Sequence, residues 1–170
     1  VECFIEDKAG HVWIGTNQNG ISFHSYVQSK FHSIQFDREN EWGLKNEKIY
    51  SIATQESGMI WASIGFGLEY LSVDGIRDYE YEKSFLGNID HILDVEVIDD
   101  EIIWVATDDG IIRINTMTDD LIRFSNDQSL PATQQIPENR VFDLMVSNDE
   151  YIWAGTATGL LIIDGFASKA

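Results

Sequence analysis

Apolar and polar positions alternate along this chain in short runs, and the runs recur as a set. Four tryptophans, Trp13, Trp61, Trp104 and Trp153, mark the same place in each set. Twelve residues before each stands a β-branched residue: Val1, Ile49, Ile92 and Val141. Nine before each stands a second apolar residue: Phe4, Ile52, Val95 and Leu144. Six or seven after each comes a glycine with an aliphatic behind it: Gly20-Ile21, Gly67-Leu68, Gly110-Ile111 and Gly159-Leu160. Short β-prone runs bounded by Gly, Asn and Asp predict strands and turns. The tryptophans stand 48, 43 and 49 residues apart. A period of about 40 to 50 residues with several strands per unit is that of propeller blades.

The spacing predicts an all-β chain: one β-propeller segment over 1–170, with blades at about 1–36, 49–81, 92–125 and 141–164. Each blade is expected to be a four-stranded antiparallel sheet, the last without its outer strand. Residues 49–54 are apolar or small on both faces, as suits a strand sandwiched between neighbours. Asp74-Gly75 is a two-residue hairpin signal. A twisted sheet of this kind cannot bury both faces alone, so the four tryptophans are expected to pack between blades. The repeated Gly20, Gly67, Gly110 and Gly159 are expected to be turn positions that use positive φ. Variable length falls in 37–48, 82–91 and 126–140, and the small, polar tail 165–170 is expected to fray.

Composition narrows the partners. Twenty-nine acidic against eleven basic residues give a net charge of −18, so nucleic acids and anionic membranes are unsuitable partners. The single cysteine, Cys3, allows no intramolecular disulfide and is expected to be a small buried residue. No run approaches the length of about 18 apolar residues that spans a membrane. The chain opens on Val1 within a repeat, without an initiator methionine or signal peptide, and reads as a piece of a longer protein.

The stretches from Phe4 to Thr16 (Phe-Ile-Glu-Asp-Lys-Ala-Gly-His-Val-Trp-Ile-Gly-Thr) and from Ile152 to Leu160 (Ile-Trp-Ala-Gly-Thr-Ala-Thr-Gly-Leu) resemble the two-component regulator propeller repeat. The resemblance runs through all four copies. It is looser in the second, where Ala62-Ser63-Ile64 replaces Ile-Gly-Thr. It is looser also in the third, where Asp99-Asp100-Glu101 stands at the Gly turn and Ala106 replaces a Gly. The resemblance implies a sensory part of a bacterial signalling protein, periplasmic or otherwise extracytoplasmic, coupled to a histidine kinase or diguanylate cyclase outside this chain. It also implies a larger ring, completed by further blades or by self-association.

No G-x-S-x-G, H-E-x-x-H, P-loop or Cys/His pair at metal spacing is present, so no catalytic residue, metal or cofactor is expected. The acids at Asp99-Asp100-Glu101, Asp108-Asp109 and Asn148-Asp149-Glu150 lie in predicted turns without the EF-hand spacing. His11, His24, His32 and His91 are scattered among the repeats.

One constellation suggests binding. Lys48, His91 and Arg140 each stand directly before a predicted first strand, the strand that lines a propeller axis, and are preceded by Glu47, Asp90 and Asn139. Three cationic or titratable groups at one channel mouth would suit a carboxylate or sugar-acid ligand. The alternative is that each pairs with a nearby acid and seals its loop. Trp42, outside the repeat, lies in a loop on the same predicted end and suits sugar stacking, a protein contact or a plug over the blade edge. The favoured expectation is a non-catalytic ligand-recognition module. A scaffold that associates through blade edges, and a propeller lyase or hydrolase using His91, Glu47 and Asp90, are the alternatives.

Overall fold

In a computed structural model the chain is described at residues 1–17, 20–24, 31–37, 39, 43–44, 46–64, 67–72, 75–78, 91–147 and 151–164. It divides into two units, Val1–Glu80 and Tyr81–Ala170. The first holds a sheet of β1 (Cys3–Glu6), β2 (Val12–Gly15), β3 (Ile21–His24) and β4 (Phe31–Ile34), and a sheet of β5 (Ser51–Thr54), β6 (Ile60–Ser63), β7 (Leu68–Ser72) and β8 (Gly75–Asp78). The second holds β9 (Ile92–Val97), β10 (Ile102–Thr107), β11 (Gly110–Asn115) and β12 (Leu121–Phe124), then β13 (Val141–Val146), β14 (Tyr151–Thr156) and β15 (Gly159–Asp164). Every sheet is antiparallel in sequence order, and among the described residues the fourth has three strands. These are four blades of a β-propeller, at the places the tryptophan spacing predicts. The Asp74 half of the Asp74-Gly75 turn and the tail 165–170 lie outside the described residues.

One backbone hydrogen bond closes the first turn of every blade. Its donors stand six residues before the tryptophan and its acceptors two before. The bonds are Asp7 N to His11 O, Gln55 N to Met59 O, Ile98 N to Ile102 O and Ser147 N to Tyr151 O, at 2.9 to 3.0 Å. Because main-chain atoms make this bond, Asp, Gln, Ile and Ser all serve at the donor position. Side chains then brace the turn differently. Asp7 accepts the amides of Ala9 and His11 and the indole N–H of Trp13, each at 2.9 Å. In the third blade Asp99 accepts the amides of Glu101 and Ile102 at 2.8 Å, and so replaces the missing glycine turn. With Ile98 at the place of Asp7, the buried indole N–H of Trp104 has no acceptor among the described residues.

The threonine of the repeat closes the second turn. Thr16, Thr107 and Thr156 each donate their hydroxyl to the carbonyl of the repeated glycine, Gly20, Gly110 and Gly159, at 2.8 Å. Ile64 takes this position in the second blade, and its backbone N–H bonds Gly67 O instead. The glycines are not equivalent. At Gly20 (φ +70°) and Gly110 (φ +110°) an added Cβ would lie 2.0 to 2.1 Å from the carbonyl of Ile34 or Phe124, so both space and backbone angle demand glycine. Gly159 has positive φ in open space. Gly67 has neither positive φ nor a close neighbour, which departs from the turn role expected for it, since the Ile64–Gly67 backbone bond forms without a left-handed residue.

Each unit has its own core. Ile52, Ile60, Ala62, Ile64 and Leu71 of the second blade meet Cys3, Ile5, Trp13, Ile21 and Ile34 of the first. Trp104, Ala106, Ile111 and Phe124 of the third blade meet Val141, Leu144, Ile152 and Ala154 of the fourth. Trp104 stacks on Phe124 at 5.3 Å and Trp13 on Phe23 at 5.0 Å, while Trp61 is buried against Tyr70. The inter-blade role expected of the tryptophans is thus seen for Trp13 and Trp104. Trp153 is half-buried, on the face of its sheet turned away from the third blade.

The variable loops hide a further repeated position. Leu44 and Ile136, each seventeen residues before a repeat tryptophan, are buried in the two cores. Parallel bridges hold them in place: Phe36 with Leu44, and Ser125 with Gln135. Backbone bonds from Leu44 N to Gln35 O and from Ile136 N to Ser125 O complete the arrangement. Burying one such aliphatic side chain contributes about 2 kcal/mol.

Burial separates two chemically identical substitutions. Trp104→Ala is expected to destabilise the chain by about 3–5 kcal/mol, whereas Trp153→Ala should cost less because its side chain is only half-buried. Urea-unfolding midpoints of the two variants, followed by circular dichroism, measure the difference.

Candidate site at the loops before the first strands

The loops that lead into β9 and β13 are built alike. His91 O accepts the amide of Asp108 at 3.3 Å, and Arg140 O accepts the amide of Ala157 at 3.1 Å. Asp108 and Ala157 both stand four residues after their blade's tryptophan. Each loop is therefore pinned to the second turn of its own sheet, with its basic side chain at one repeat position.

The two side chains fare differently. His91 is held from both ends of Asp108: its amide bonds Oδ1 at 3.3 Å and its ring Nδ1 lies 3.4 Å from Oδ2. Its basic side chain thus meets a nearby acid. Arg140 is exposed, pairs with no carboxylate among the described residues, and holds its guanidinium 5.2 Å from the centre of the Phe142 ring. Its amide donates to Glu138 at 3.0 Å. A cation over an aromatic face, open to solvent, can receive an anionic ligand by forked hydrogen bonds.

The neighbouring positions hold the loop. Asn139 donates its amide group to Asp109 at 2.8 Å, accepts the amide of Asn126 at 2.7 Å on Oδ1, and accepts that of Gly110 on its carbonyl at 2.6 Å. Arg123 completes the brace through an ion pair with Asp109. Lys48 and Glu47 belong to the unit Val1–Glu80, where both are exposed and Lys48 N donates to Asn46 at 3.2 Å. Asp90 and Trp42 lie outside the described residues, as do Asn148, Asp149 and Glu150. Among the described residues, no group of three or more His, Cys, Asp or Glu is placed to hold a metal ion, and no helix is long and apolar enough to cross a membrane.

A feature the sequence patterns did not single out lies between β9 and β13, which pack side by side. Asp94 accepts the amide of Leu144 at 2.6 Å, bonding one blade's first strand to the next. Glu96 stands two residues on, across from Trp104. Burial, reinforced by the negative charge of Asp94 and of Asp143, pushes the Glu96 carboxyl up to about 7. The available signal was polar residues inside an apolar first strand, at eight and ten residues before the tryptophan. Asp7 behaves oppositely: burial alone would raise it, but bonds from the Trp13 indole and from the His11 amide and ring bring it below the usual carboxylate range.

A carboxyl raised in the folded state is bound to its proton more tightly there than in the unfolded chain. Its favourable contribution is complete below the unfolded value of 4.5 and is lost as pH rises through about 7. Ionising Glu96 is expected to cost on the order of 2–3 kcal/mol. Stability should therefore fall between pH 4.5 and 7, and Glu96→Gln should flatten that fall and raise Tm at higher pH. Thermal unfolding across this range checks it, and an unchanged slope in the variant would exclude Glu96 as the source.

Comparison with known proteins agrees with the architecture. The family described as two component regulator propeller matches residues 1–18. No curated protein matches the sequence. Among solved structures, the fold is similar to the extracellular domain assigned to the hybrid two component system BT4673 from B. thetaiotaomicron, with TM-score 0.72 and 17% identity over 95% of this chain and 21% of that one. It is similar to the corresponding domain of BT3049 from the same organism, with TM-score 0.62 and 15% identity over 95% and 26%. It is also similar to virginiamycin B lyase from Staphylococcus aureus, with TM-score 0.65 and 19% identity over 95% and 54%. The chain thus spans between about a fifth and about half of these structures. The chain is thus a β-propeller segment whose residues 1–18 match the two component regulator propeller repeat.

Proposed function

We propose that this chain is a non-catalytic recognition module of a bacterial signal-transduction protein, acting outside the cytoplasm, with further blades and an output domain supplied elsewhere. Its ligand is a small carboxylate or sugar acid, bound at the loops before the first strands. The exposed guanidinium of Arg140 over Phe142 carries this reading: in a chain of net charge −18 it is a cation left without a carboxylate partner among the described residues. His91 occupies the same repeat position in the other blade of the same unit. The likeness to extracellular domains of signalling systems supports the sensory role, and that to a lyase reflects the shared fold.

Isothermal titration with galacturonate and with succinate, beside neutral galactose as the control, tests the site. An acid probe is expected to bind and galactose not to. Arg140→Ala should weaken binding by about tenfold or more, the loss of one charge-assisted contact. His91→Ala should weaken it less. A His91 and Arg140 double variant that binds the acid as the natural chain does would remove these residues from the site.

A further inference from the structure

The second turn of the third blade carries two acids that the turn itself does not need. Thr107 closes it: the hydroxyl donates to Gly110 O at 2.8 Å and accepts the amide of Asp109 at 3.0 Å. The first and fourth blades close the same turn with Thr16 and Thr156. Where the third blade has Asp108-Asp109, they have Asn17-Gln18 and Ala157-Thr158, and the second has Gly65-Phe66. Three blades of the repeat thus carry no carboxylate here, and in the third both acids reach outward.

They reach the two loops that bear His91 and Arg140. Asp108 accepts the His91 amide at 3.3 Å on one oxygen, and its other oxygen lies 3.4 Å from the ring. Asp109 accepts the side-chain amide of Asn139 at 2.8 Å, and an ion pair with Arg123 holds its other oxygen. Arg123 also donates to the carbonyl of Asp109 at 3.2 Å, so Asp109 is fixed at side chain and main chain alike. Asn139 in turn fixes the residue after it. Its carbonyl accepts Gly110 N at 2.6 Å in the third blade, and the carbonyl of Arg140 accepts Ala157 N at 3.1 Å in the fourth. Two consecutive carbonyls are thereby tied to the second turns of two blades. Because Arg123 balances its charge, Asp109 holds this loop without opposing an anion bound there.

We propose that Asp109 is a positioning residue of the acid site. Acting through Asn139, it sets the backbone from which Arg140 reaches its ligand, and Asp108 does the same for His91. One turn then carries both cations, and they meet a ligand as a preformed pair. This rests on the acid-binding reading above. A group held in place before binding loses less conformational freedom on binding, so a side chain that touches no ligand raises affinity.

Amide exchange followed by NMR tests the positioning without any ligand. In Asp109→Ala the Ala157 amide, whose acceptor is Arg140 O, is expected to exchange about tenfold faster, while amides within β14 keep their rates. Asp109→Asn keeps an acceptor for Asn139 and should keep the Ala157 rate of the natural chain, which separates positioning from misfolding. Titration with galacturonate then reads affinity. Asp109→Ala should weaken binding by about threefold to tenfold in the natural background and not at all in the Arg140→Ala background, because positioning acts only through the residue positioned. Asp108→Ala and His91→Ala should be non-additive in the same way. An unchanged Ala157 rate in Asp109→Ala, faster exchange throughout β14, or equal losses of affinity in both backgrounds would each overturn the proposal. A natural chain that binds no acid would sink the reading of the site, and the exchange rates then decide the positioning by themselves.

Discussion

A four-stranded blade has two faces and too little chain to cover either of them. That constraint governs the molecule: every sheet must bury one face against the sheet before it and the other against the sheet after it. The repeat is the chemical form of this requirement. Trp104 on one blade, and Leu144, Ile152 and Ala154 on the next, are the two sides of one contact. The same offsets recur because the same contact must be made again. Where the third and fourth blades make it, Trp104 is fully buried. Where the described residues offer no further sheet, Trp153 is half-buried and Phe4 exposed.

Around this contact the turns need only return the chain in the correct register. The main chain does most of that, through one hydrogen bond common to all four blades. This explains how the third blade loses its glycine turn and the second its threonine without losing the fold. Side chains add local bracing where they happen to suit, as Asp7 does for Trp13 and Asp99 for the amides after it. Tolerance in the turns and strictness in the faces is what a packed stack of sheets requires.

The same architecture separates recognition from stability. The residues before the first strands of the third and fourth blades lie outside the packed faces, so His91 and Arg140 can differ while the loop's backbone bond persists. Glu96, by contrast, sits within the contact between two blades, and its proton is part of how those blades pack. A group of that kind couples pH to the stability of the packed blades.

The strand order and the inter-blade role of Trp13 and Trp104 were legible in the residues, because strand period and turn chemistry are local and the repeat copies them four times. The place of Lys48, His91 and Arg140 before the first strands was legible for the same reason. What those side chains do was not: the capture of His91 by Asp108, the release of Arg140 to Phe142 and the use of Asn139 as a loop brace depend on partners brought near by folding. Leu44 and Ile136 were hidden because a lone aliphatic in a polar loop carries no periodic signal until the loop folds back on the core. Gly67 shared its sequence position with Gly20 and Gly110 but not their crowding, which only the approach of a neighbouring carbonyl decides. Sequence by itself determined which residues form strands and which faces are apolar, since both follow from short-range spacing. Tertiary structure alone decided which of those faces are covered, and which charges meet a partner, since both depend on distances between residues far apart in the chain.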